Sequence, residues 1–180
     1  MKRMIGFHLD VSLFLTKPFE MKFKGDERAM PQAIHTVEVA LNNEVVWDFT
    51  KDFNAWAPLI SGYLAHEVQN DMQFHWVFKA DLGFTKKTIK LQVDIQEVTA
   101  PSDVKFKLTG LSDSFNGHGY FKLHKVNETT TQFTGSLDLS ASGMMGMMIN
   151  PVLETFVPQM TEQLIVAIKA KLNGVHSISI

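Results

Sequence analysis

Cysteine is missing from this 180-residue chain, which excludes a disulfide framework and thiolate metal sites and fits work in a reducing cytoplasm. An excess of one charge is missing too. Seventeen basic residues stand against 19 acidic ones, a net charge of −2, so nothing electrostatic points to nucleic acid, whose binding rests on neutralising phosphates. No apolar run approaches the ~18 to 20 residues that cross a bilayer, so an integral membrane protein is not expected. Lys2 and Arg3 ahead of residues 4–15 superficially resemble a signal peptide. His8 and Asp10 interrupt that run, and no small-x-small cleavage site follows.

Catalytic and metal motifs are also lacking. His8, His35, His66, His75, His118, His124 and His176 form no i,i+4 pair on a helix and have no carboxylate at ligand spacing, so no metal is expected. Ser112-Asp113-Ser114 with His118 lacks a Gly-x-Ser-x-Gly elbow and reads as a turn. Gly117-His118-Gly119 lacks the third glycine and the strand-to-helix setting of a dinucleotide loop; its glycines read as a bend in a curling strand. No catalytic residue and no cofactor is expected.

What the chain does have is apolar mass: 45% hydrophobic residues, with 14 Phe and 10 Met, enough for one generous core. Residues 1–32 carry no pattern complementary to the rest and read as an N-terminal extension of uncertain structure, of which residues 1–29 are expected to add little stability. Within it, Phe7, Leu13, Phe14 and Leu15 could touch a membrane, and Met30 is an alternative translation start. The domain proper is expected over residues 33–172, with 173–180 as a tail.

His35, Val37, Val39 and Leu41 alternate with polar residues, the period-two pattern of a half-buried strand. Asn42 and Asn43 offer caps before Glu44, and the spacing of Val45, Val46, Phe49, Phe53 and Trp56 predicts one short helix ended near Pro58. Alternating runs then follow from Tyr63 to Ala141 with turn-rich links such as Asn70-Asp71 and Asn127-Glu128, which argues for an antiparallel meander. A final apolar helix runs from about Ser142 to Leu172 and stops at Asn173-Gly174. Pro151 and Pro158 bend it, with Asn150 able to cap a second segment. A lone helix cannot sandwich so long a sheet, so the sheet must curl around it. The expected fold is α+β, with a curved antiparallel seven-stranded sheet wrapped around a long C-terminal helix.

The segment Val46-Trp47-Asp48-Phe49, then Asp52-Phe53, then residues 58–63 resembles the opening of the G-subunit-like proteins of carbon monoxide dehydrogenase. These belong to the START-like, or polyketide cyclase-like (SRPBCC), helix-grip superfamily. Gly110-Leu111, Gly117, Gly119, Thr131 and residues 135–139 resemble the rest of that pattern, over residues 33–172. The resemblance implies an apolar cavity between sheet and helix, and lipid, quinone or polyketide ligands. For the carbon monoxide dehydrogenase branch it also implies a redox enzyme or membrane surface as partner. The chain departs from the pattern at Ser61-Gly62, where Pro-Gly is usual, and lacks the membrane-binding tail of some members.

On this reading Trp56, Phe74, Trp76, Phe78, Phe106, Phe121 and Phe133 face Met144, Met148, Phe156 and Met160 across a pocket, since pockets are mostly apolar with a few polar anchors. The methionines serve equally as core filler, because thioethers fit irregular gaps. The expected function is non-catalytic binding or carrying of an apolar small molecule, in the cytoplasm or peripheral to a membrane. The alternatives are an enzyme of the polyketide cyclase or dehydratase type, and a protein-binding adaptor.

Overall fold

The computed structural model describes residues 32–176, with side-chain burial to 174. The expectations for residues 1–29, including the membrane-touching arm and the Met30 start, and for the last four residues lie outside the described part. Eight strands are described: β1 (Gln32–Val39), β2 (Tyr63–Asn70), β3 (Gln73–Asp81), β4 (Lys86–Thr99), β5 (Asp103–Gly110), β6 (Phe115–Asn127), β7 (Thr130–Asp138) and the two-residue β8 (Ser140–Ala141). They form one sheet in the order β1-β7-β6-β5-β4-β3-β2, every pairing antiparallel, with β8 joining β6. β1 and β2, consecutive in sequence, end at opposite edges. The chain between them must therefore cross the sheet, and it does so as a string of short helices.

That string is less continuous than its spacing predicts. α1 (Asn43–Thr50) starts on Asn42, whose side-chain Oδ1 accepts from the Val45 amide at 2.9 Å. At Asp52 the chain restarts, because that carboxylate accepts from the Asn54 amide and caps α2 (Phe53–Trp56), and a 3-10 turn (Ala57–Leu59) follows. One expected helix is thus three pieces, and Val45 faces solvent. The break aims Trp56 at the sheet's inner face. There its indole N–H is satisfied by the Thr50 carbonyl at 3.0 Å.

The inner face is built by alternation: Phe74, Trp76, Phe78 and Ala80 on β3, Ile89 to Ile95 on β4, Val104 to Leu108 on β5 and Phe121 on β6 are all buried, while their sequence neighbours are not. α3 (Gly143–His176) closes the core and packs mainly on β1, then on β7 and β8. It is one continuous helix with both prolines inside, and Asn173-Gly174 do not end it. Asn150 does not cap a second segment: its Oδ1 accepts from the Ala141 amide at 2.8 Å and its Nδ2 donates to the Ala141 carbonyl at 3.1 Å, pinning α3 to β8.

Gly117 and Gly119 carry no bulge in β6. Its register with β5 runs unbroken past both, and the irregularity lies farther on, at Lys125/Asn127. What Gly119 permits is contact: a Cβ there would sit 2.3 Å from the Phe106 ring. Gly135 does the same for α3, since a Cβ would fall 2.1 Å from Ile165 Cδ1.

Candidate functional site

Seven of the eleven proposed site residues form one ring network. Trp56 lies at its centre, with ring centroids 5.6 Å from Phe74, 5.6 Å from Trp76, 6.0 Å from Phe106 and 5.0 Å from Phe121. Phe78 joins through Trp76 at 5.5 Å and Phe133 through Phe121 at 5.4 Å. All seven are buried. Edge-to-face and offset contacts at these distances are the favourable ones, so the rings act as mutual packing partners. The Trp76 indole is also satisfied, donating to the Ala57 carbonyl at 2.9 Å.

From α3, Met160 reaches the core and Phe156 is half-buried against it. Both line a hollow of about 220 Å³ between α3 and the end of β3, completed by Ser61, Lys79, Asp81, Gln159 and Gln163. Tyr63 pairs with Phe78, so β2 begins only there and leaves residues 79–81 beyond its start. Residues 61 and 62 lie against that stretch, with the Lys79 amide donating to the Gly62 carbonyl at 2.8 Å. The hollow is therefore mostly polar, a rim of five polar residues around a small apolar floor of Phe156 and Met160. Sequence reading named its floor and missed its rim; the i,i+4 spacing of Gln159 and Gln163 on the helix was the available signal.

Met144 and Met148 correct the expectation. They are 82% and 72% exposed, and neither lines an interior wall. The physical reason is helical phase. Met145, Ile149, Leu153, Val157, Met160, Leu164 and Ile168 hold the core-facing stripe at three- and four-residue spacing, and at 3.6 residues per turn Met144 and Met148 fall outside it.

A second hollow, about 280 Å³, lies over β4, β5, β6 and β7 beside Gln32. Its polar rim includes Glu97, Lys105, His118, Tyr120, Ser136 and Asp138. Lys105 Nζ donates to Glu97 at 2.8 Å, and that hydrogen bond, with the ammonium charge, holds the Glu97 carboxyl below its ordinary value. Burial pushes the Asp138 carboxyl up, against the pull of the His118 amide, which donates to it at 2.7 Å, and of the nearby imidazole at 3.8 Å. His118 thus faces Asp138 rather than the Ser112 turn, whose Asp113 pairs with Lys87 at 3.0 Å.

Among the described residues the buried polar side chains are Thr50, Thr131, Ser136 and Thr161. The three threonine hydroxyls donate to the carbonyls of Val46, Leu41 and Val157. Among the described residues no three His, Asp or Glu side chains converge on a point that could hold a metal ion. None of the described helices is long and apolar enough to cross a membrane.

Known proteins match this arrangement as a whole. A conserved protein from Geobacillus kaustophilus superposes with a TM-score of 0.68 at 15% identity, covering 79% of this chain and 95% of its own. An aromatase/cyclase from a Streptomyces species gives 0.60 at 16% identity, covering 79% and 93%. A START superfamily protein from Mycobacterium smegmatis gives 0.58 at 17% identity, covering 80% and 98%. No curated protein sequence matches significantly. A protein-family model matches residues 30–172, and with it all the main strands and most of α3. The chain belongs to the family that this model describes, and its fold is the helix grip of START-like proteins.

Proposed function

We propose that the chain binds and carries an apolar small molecule, lipid-like or quinone-like, between the inner face of the sheet and α3. The observation that carries this reading is the hollow against α3, where Phe156 and Met160 form a small apolar floor within a mostly polar lining of amide, hydroxyl and charged groups. That division suits a molecule that presents a polar end to the rim and an apolar part to the floor. The ionisable groups that line this hollow, Lys79 and Asp81, are exposed at its rim, and the fully buried polar side chains among the described residues are hydroxyls, which supports a non-catalytic role there.

The competing reading is a cyclase or dehydratase, whose support is the likeness in fold to an aromatase/cyclase. The adaptor reading draws on the exposed methionines and the close ring packing around Trp56. The finer resemblance, to the carbon monoxide dehydrogenase branch with a redox enzyme or membrane surface as partner and a cytoplasmic location, belongs to the same proposal. Native mass spectrometry of the purified full chain tests it. A co-purified organic molecule released on denaturation is the expected result. No adduct, together with no uptake of an apolar fluorescent probe, would overturn the carrier reading.

A further inference from the structure

The sheet face turned away from α3 carries the hollow of about 280 Å³, and the strand register explains how it is built. Glu97, Lys105, Tyr120 and Ser136 stand opposite one another on β4, β5, β6 and β7. Phe106, Phe121 and Leu137, which alternate with them, face the core, so this row faces outward. The next row places His118 beside Asp138, and Asp138 opposite Gln32. On the β4 side the register slips between Ile95 and Glu97, and Gln96, the residue between them, lines the hollow. Bulges of this kind re-aim side chains beside sites.

Two side chains there differ from the rest of the face. Ser136 is only 2% exposed although it points away from the core, and its hydroxyl makes no hydrogen bond among the described residues. The three buried threonine hydroxyls all donate to backbone carbonyls. Buried hydroxyls ordinarily have such partners, so that of Ser136 is left to bond whatever enters the hollow. Asp138 is the second. Lys105, Lys107 and Lys122 each stand opposite a carboxylate, those of Glu97, Asp94 and Asp103. Asp138 has no lysine opposite it, and the one titratable group it meets among the described residues is His118. Its side chain is 16% exposed, and burial raises its carboxyl. The His118 amide requires only an acceptor, so the negative charge is surplus to the fold.

We propose that this hollow binds the ammonium ion of a small organic amine. Such a group has three donors and no acceptor. The Asp138 carboxylate and the hydroxyls of Ser136 and Tyr120 can accept from it, and the Tyr120 ring adds a surface that attracts cations. An anion would meet two carboxylates, and a lysine already held by Glu97 at 2.8 Å. A metal ion fits poorly, since among the described residues no three His, Asp or Glu side chains converge. The volume is just under the ~300–1,000 Å³ of ordinary small-molecule pockets, which calls for a compact ligand. The site lies on the opposite face of the sheet from α3, so it goes beyond the carrier reading and stands without it.

Titration of the isotope-labelled full chain with cyclohexylamine, followed by amide NMR, tests the site. Saturable shifts centred on the Gly119, Tyr120, Ser136 and Asp138 amides are expected, with a dissociation constant of about 1–10 mM for a ligand of so few atoms. Cyclohexanol, of similar shape without the charge, should bind at least about tenfold more weakly, and cyclohexanecarboxylate should give no saturable shift. Asp138→Asn retains an acceptor for the His118 amide and should weaken the amine at least about tenfold while leaving cyclohexanol unchanged. Ser136→Ala provides a second variant, expected to weaken the amine about threefold or more, should the first fail to give the parent spectrum. Glu162→Gln, which removes an exposed carboxylate on α3, should bind like the parent. The proposal is overturned by the absence of saturable shifts, by equal binding of alcohol and amine, by tighter binding of the carboxylate, or by an Asp138→Asn chain that binds the amine as the parent does. Shifts confined to amides around Phe156 and Met160 would put the amine in the hollow against α3 and overturn it as well, leaving the carrier reading to its own test.

Discussion

Residues 143–153 and 154–172 belong to one helix and face one sheet, yet their outer surfaces differ. In the second stretch the outward positions include Glu154, Gln159, Glu162, Gln163 and Lys171, the ordinary polar back of a helix whose front is buried by Val157, Leu164, Ile165 and Ile168. In the first, the front is held by Ile149, Leu153 and the Asn150 clasp, and the back is Met144, Met147, Met148 and Pro151. Apolar character therefore does different jobs along the helix. From 154 onward, Val166 apart, it faces inward and stabilises; before that it faces both ways, and the outward half contributes nothing to the core.

Changes to the two stretches should separate accordingly. The largest effect is expected from Leu164→Ala, a fully buried side chain, which should cost about 2–5 kcal/mol in chemical denaturation. A value under ~1 kcal/mol would mean that α3 is not gripped there. Gly135→Ala should cost about 1–3 kcal/mol, because its Cβ meets Ile165, and Ile165→Val in the same chain should recover part of that. Additive losses would locate the strain elsewhere.

In the first stretch the sensitive residue is polar. Asn150→Ala leaves the Ala141 amide and carbonyl without their partner and should cost about 1–3 kcal/mol, freeing the start of α3 to exchange amide hydrogens faster. Met148→Trp should shift stability by no more than about 0.5 kcal/mol, as exposed substitutions do. A severe loss would show this side chain to be packed.

The smallest effect sits away from the helix. The Asp138 carboxyl is raised by burial, so the folded state holds its proton more tightly than the unfolded state. Its contribution is then most favourable at low pH and is lost as pH rises through the raised value. Asp138→Asn keeps an oxygen to accept from the His118 amide and removes the charge, so its melting temperature should exceed the parent's slightly at neutral pH, with the gap closing toward pH ~3. A gap that widens on acidification would reverse the sign and the argument.

Much of this architecture is legible in the residues because strand alternation is local. The buried set on β3, β4 and β5 follows the period-two runs, and the turn at Asn70 is closed by its own side chain accepting from the Met72 amide at 2.9 Å. The ring cluster is legible as composition, since large aromatics on one face of a curled sheet must meet. The break between α1 and α2 was harder to read, because the apolar spacing continues across it and the deciding event is one Asp52 hydrogen bond. The rim of the hollow was hidden for a different reason: Lys79, Asp81 and Gln159 come from segments far apart in sequence.

By itself, then, the sequence determined the element order, the antiparallel meander and the single closing helix, because each rests on spacing and turn chemistry within a few residues. Which methionines face the core was decided by tertiary structure. A helix apolar on both sides has no unique inward stripe until neighbours such as Ala141 and Gly135 fix its rotation, and that contact, not hydrophobicity, turned Met160 inward and left Met144 and Met148 at the surface.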